Sequence, residues 1–87
     1  MFRLGRTDNQ NSILITVEGE LKGDSVSIAE SACREALAGN ARVTILIKNV
    51  TEIDADGHAF LRRMASTKAQ LRANGIYSRY VIKKCSA

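Results

Sequence analysis

The sequence predicts a small α/β fold: a four-stranded, mostly parallel sheet with an N-terminal hairpin strand and helices mainly on one face, in the order β-β-α-β-α-β. Two short runs rich in β-branched residues, Ile13-Leu14-Ile15-Thr16-Val17 and Val43-Thr44-Ile45-Leu46-Ile47, read as buried strands. One amphipathic helical pattern separates them and a second follows. That alternation is what parallel strands require, because their crossovers are long. At 87 residues the chain fits a single domain spanning 1–87 with a modest core.

Each element has its own signal. Phe2, Leu4 and Arg6 alternate with Arg3 and Gly5, a weak strand ending at Thr7. Asp8-Asn9-Gln10-Asn11-Ser12 is a turn by composition, and Gly19-Glu20-Leu21-Lys22-Gly23 breaks the strand that ends at Val17. The first helix shows an apolar stripe of Ile28, Ala29, Ala32, Cys33, Ala36 and Leu37. Ser27 and Glu30 have the spacing of a capping box, with Asp24 or Ser25 as caps one turn earlier, and Gly39-Asn40 ends the helix.

The second helix is expected from about Ala59, with Phe60, Leu61, Met64 and Leu71 on one face and Arg62, Arg63, Ser66 and Gln70 elsewhere, closing at Asn74-Gly75. Residues 76–83 then read as an edge strand. Ile13, Ile15, Val17, Val43, Ile45 and Ile47 supply the face towards the helices. Leu14 and Leu46, beside Thr16 and Thr44, point to the opposite, mixed face.

Composition excludes several classes. Apolar content of 45% and charged content of 25% are those of an ordinary globular domain rather than a disordered segment. No apolar run approaches the roughly 18 residues of a membrane span, so no membrane insertion is expected. The N-terminus lacks the apolar segment of a secretory signal, and the two cysteines have neither metal-ligand nor disulfide-framework spacing. A reducing cytoplasm is the expected compartment.

Catalysis is not expected. His58 is the only histidine, no serine or cysteine lies in a nucleophile motif, and there is no phosphate-binding glycine loop. Neither metal nor cofactor is implied, since Asp54 and Asp56 alone make a weak cation site. The net charge of +4 gathers in the C-terminal third, where no acidic residue follows Asp56. A basic nucleotide- or nucleic-acid-binding module is therefore an alternative. Its support is thin, because Phe2, Phe60, Tyr77 and Tyr80 are the only aromatics available for stacking.

The candidate site is the loop Asp54-Ala55-Asp56-Gly57-His58, where a strand hands over to a helix whose first N–H groups lack intrahelical partners. Arg62 and Arg63 on the following helix are candidate partner-facing residues. Asp56 reads first as an N-cap, accepting from the N–H groups that follow it.

Ile15-Thr16-Val17-Glu18-Gly19-Glu20-Leu21, the amphipathic helix, the run Val43 to Ile47, and Val50-Thr51-Glu52-Ile53-Asp54-Ala55-Asp56-Gly57 together resemble a STAS domain, the sulphate transporter and anti-sigma factor antagonist family. The likeness covers about Ile13 to Ile82 and rests on a G-x-L after the second strand and on the loop before the second helix. It implies a STAS-like fold and a regulatory, protein-binding role in bacteria. The implied partner is an anti-sigma factor that is also a serine kinase, or alternatively a membrane transporter to which the chain is an accessory subunit. In the family the hydroxyl residue before the loop glycine is phosphorylated, which releases the partner. That position maps to Asp56, and the family's loop aspartate maps to Asp54.

Neither Ala55 nor Asp56 has a hydroxyl, so phosphorylation at the family position is chemically excluded here. The resemblance adds two roles for Asp56: a permanent partial mimic of the phosphorylated state, or a contact for cationic groups on an adapted partner. A carboxylate carries one charge against roughly −1.5 to −2 for phosphoserine. The family also continues into a further helix after the fourth strand. Its expected absence here leaves apolar surface for a second copy, hence a homodimer, to cover.

Overall fold

Alternating apolar residues decide the two faces of the sheet. In the computed structural model, which describes residues 1–75, 78–81 and 83, the strands are β1 (Arg3–Asp8), β2 (Ser12–Leu21), β3 (Arg42–Ile53) and β4 (Gln70–Asn74). Helix α1 (Asp24–Leu37) joins β2 to β3, and α2 (Ala55–Ala65) joins β3 to β4. The sheet order is β1-β2-β3-β4. β1 pairs antiparallel with β2, and the remaining pairs are parallel. This is a small α/β domain with a mixed four-stranded sheet.

The expected core face is the observed one. Ile13, Ile15, Val17, Val43, Ile45 and Ile47 are buried in a single cluster with Val26, Ala29, Cys33 and Ala36 of α1 and Phe60, Leu61 and Met64 of α2. Truncating Phe60, which has no exposed surface, removes a large share of this packing, a loss of about 3–5 kcal/mol in comparable cores.

The first helix is rotated from the expected stripe. Val26 is buried whereas Ile28 is 52% exposed, because the buried residues follow the 26-29-33-36 phase. No capping box forms. Gly23 is the N-cap without a side-chain hydrogen bond, and Glu30 instead receives arginines from both helices.

The C-terminal third departs furthest from expectation. Helix α2 begins at Ala55 and stops at Ala65, and Leu71 belongs to β4 rather than to the helix. Thr67 makes the turn: its Oγ1 donates to Met64 O at 2.6 Å and accepts from Ala69 N at 3.2 Å. No glycine or proline marks this stop, and Leu61, Met64 and Leu71 keep a helical spacing by coincidence. As a strand, 70–74 pairs Leu71 with Ile45 and Ala73 with Ile47, which brings both to the core face.

The edge strand expected at 76–83 is replaced by helix at 78–81 and 83; Ile76, Tyr77 and Ile82 lie outside the described residues. Ser78 is buried, its Oγ accepting from Val50 N at 3.1 Å, and Val81 joins the core. The order therefore runs as expected through the fourth strand and then continues into helix. This corrects the expectation that no helix follows. Gly19 likewise does not end β2. At φ 91° it carries the strand through an irregularity to Leu21, and a Cβ there would strike Met1 O.

Candidate functional site

Parallel pairing of Leu21 with Ile53 sets two strand-to-helix turns side by side at one pole of the sheet. The first turn is Lys22-Gly23, with Gly23 at φ 56° and ψ −133°, a conformation that side-chain-bearing residues rarely adopt. The second is Asp54, extended at φ −92° and ψ −175°. A weak backbone bond links them, Asp54 N donating to Leu21 O at 3.4 Å.

Asp54 ties both turns together. Its Oδ1 accepts from Gly57 N at 2.8 Å, which caps α2, and its Oδ2 accepts from Gly23 N at 3.0 Å, at the start of α1. The N–H groups of Gly23 and Gly57 hold its carboxyl below the usual aspartate range. The first turn of α2 can approach this closely because residue 57 is glycine: a Cβ there would strike Leu21 O and lie 2.8 Å from Ile53 Cγ2.

Asp56 is therefore not the N-cap. It lies within the first turn of α2, is exposed, and its side chain makes no hydrogen bond or ion pair among the described residues. Its charge faces the positive end of the helix dipole from the surface. Ala55 is exposed, Gly57 is buried, and His58 is half-buried with its N–H donating to Asp54 O at 3.0 Å.

The two arginines of α2 differ. Arg63 clasps Glu30 of α1, its Nη2 donating to Oε1 at 2.6 Å and its Nε to Oε2 at 2.8 Å, while Arg34 reaches the same carboxylate at 2.8 Å. The arginines, Arg63 foremost, hold the Glu30 carboxyl below its ordinary value. Arg63 thus joins the two helices, and Arg62 is exposed without an ion pair among the described residues.

Sequence reasoning brought Asp54 and Gly57 to the pole but missed Gly23 and the Glu30–Arg63 clasp. A glycine immediately before Asp24 was the available signal for the first. Glu30 was absorbed by its capping-box spacing. The surface that results is acidic, with Asp24, Glu52 and Asp56 exposed and Lys22 bound to Glu52 at 2.6 Å. Its exposed carboxylates can make charge-assisted contacts with cationic groups. No protein-family model matches the chain, and no curated protein matches it.

Proposed function

We propose that this is a non-catalytic STAS-type protein-interaction module of the cytoplasm, resembling anti-sigma factor antagonists but with a loop that cannot be phosphorylated at the family position. It docks through Asp54–His58 on a protein presenting cationic groups, with Arg62 on the adjoining face of α2 at the solvated rim of the contact. One observation carries this reading. Asp54 already fills the N–H cradle between the two turns, so the carboxylate of Asp56 is left exposed in the first turn of α2, with no hydrogen bond or ion pair among the described residues. A residue needed only as a cap would occupy that cradle itself.

The geometry also favours a contact role for Asp56 over imitation of a bound phosphate. A mimic gains most from converging N–H donors, and the donors at this pole point to Asp54. The partner surface is then basic, and charge complementarity governs its approach.

The test is affinity capture from native extract with wild-type protein and Asp56→Lys, compared quantitatively. Proteins retained by the wild type and lost with the variant, at unchanged fold, support the reading. Identical capture by both overturns it. In parallel, Asp56→Ser offered to a captured serine kinase should take phosphate at residue 56, while wild-type protein stays unlabelled in this loop.

A further inference from the structure

Away from the acidic pole, the face of the sheet opposite the helices has a different character. Strand register lines up three rows on it: Arg3, Glu18, Lys48 and Asn74; Gly5, Thr16, Leu46 and Arg72; and Thr7, Leu14, Thr44 and Gln70. Arg42, paired with Ser12, stands at the foot of the same face. Leu14, Thr16, Thr44 and Leu46 are half-buried at its centre, and Arg3, Arg42 and Arg72 are exposed around them. Among the described residues, every buried side chain of α1 and α2 belongs to the cluster on the other face.

The charges of this face make no ion pair among the described residues. Ion pairs among the described residues join Arg6 to Asp8, Lys22 to Glu20 and Glu52, Arg34 and Arg63 to Glu30, and the Met1 amino group to Glu20. None includes Arg3, Glu18, Arg42, Lys48 or Arg72. The carboxylates nearest the loop end of the face, Glu20 and Glu52, are held by Lys22 and the Met1 amino group. Four cations against the single carboxylate of Glu18 thus surround a small Leu and Thr centre. At the foot, Arg42 and Lys68 line a cleft of about 610 Å³ with Asn11 and Asn40, and no carboxylate of the described residues lines it.

We propose that this open sheet face is a docking surface for an acidic protein partner, which packs apolar side chains on Leu14 and Leu46 and sets carboxylates against Arg3, Arg42, Lys48 and Arg72. An apolar centre inside a charged rim is the anatomy of a protein interface. Because these cations make no ion pair among the described residues, a partner's carboxylates can pair with them without breaking one. Two other occupants fit less well. A second copy related by a two-fold axis would set this cationic rim against itself. A nucleic acid strand would find no aromatic side chain in the three rows on which to stack. This surface is independent of the Asp54–His58 loop and does not rest on the role proposed for it.

The test uses the isotope-labelled full chain, followed by amide spectra. The probes are an amphipathic helical peptide with a leucine stripe flanked by glutamates, the same peptide with lysines for glutamates, and oligothymidylate. The acidic peptide should give saturable shifts at Thr16, Thr44, Leu46 and Lys48, weakening as salt is raised. In Lys48→Glu/Arg72→Glu, with its fold confirmed by the same spectra, affinity should fall about tenfold or more. Absence of shifts at low salt, shifts centred on Asp56 and His58, or an equal response to the basic peptide would overturn the proposal. So would tighter binding of oligothymidylate to the same amides, or a concentration-dependent dimer that buries them.

Discussion

At the loop pole, Asp54 gives each of its carboxylate oxygens to a backbone N–H, and Lys22 is paired with Glu52. On the open sheet face, Arg3, Lys48 and Arg72 have no ion pair among the described residues. Asp54 at the pole organises backbone. Charge on the face is left available for something else. Net charge alone would have merged the two, because the pole is acidic in a chain that is basic overall.

The largest expected difference between the regions lies in their glycines. Gly57→Ala places a methyl group on Leu21 O and beside Ile53 Cγ2, so denaturant unfolding should show a loss of about 3 kcal/mol. Gly5→Ala on the open face meets only Thr16 Cβ at 3.7 Å, an ordinary contact, and should leave stability unchanged within about 0.5 kcal/mol. Equal losses at both sites would erase the contrast between a tightly apposed pole and an open face.

Next in size is the separation of the two loop aspartates. Asp54→Ala orphans the N–H groups of Gly23 and Gly57, and should lower the melting temperature by about 5–10 °C. Asp56→Ala removes only a favourable charge near the helix start, and should shift it by about 2 °C or less. The reverse ranking would restore Asp56 as the cap.

Acid sharpens the same comparison. The folded-state pKa of Asp54 lies below its unfolded value of about 3.9, so its contribution is complete above that pH and is lost as pH falls through the folded value. Wild-type stability should therefore decline more steeply below about pH 4 than that of Asp54→Asn. Glu30 and Asp8, also depressed by their arginines, leave both proteins a residual slope.

Smallest of all is the expected response of the open face. Lys48→Glu and Arg72→Glu break no ion pair among the described residues, and each should move the melting temperature by about 2 °C or less. The interior offers a control for both regions. Burial pushes the Cys33 thiol up to about 12, so in a Cys85→Ala background it should stay unreactive to thiol reagents at neutral pH until the protein unfolds.

Much of this architecture was legible in the residues themselves. The runs 13–17 and 43–47 announced β2 and β3 through β-branching, and their odd-numbered members do form the core. Asp54, Gly57 and the start of a helix were likewise placed together by the loop's composition. The errors fell where a local pattern had two physical meanings. Leu61, Met64 and Leu71 keep helical spacing, yet Leu71 lies in a strand because pairing with Ile45 buries it, while Thr67 closes the turn. Ser27 and Glu30 have capping-box spacing, yet Glu30 binds Arg63 from a helix distant in sequence.

Local chemistry thus determined the two central strands, the existence of a helix after each, where most of the apolar face lies, and that no hydroxyl stands immediately before the loop glycine. Tertiary contacts decided which aspartate fills the cradle, because only side-by-side packing of the two turns brings Gly23 N to Asp54. They also decided which cations make no ion pair among the described residues. Cross-strand register, invisible in a linear pattern, gathers Arg3, Lys48 and Arg72 on one surface around the single carboxylate of Glu18.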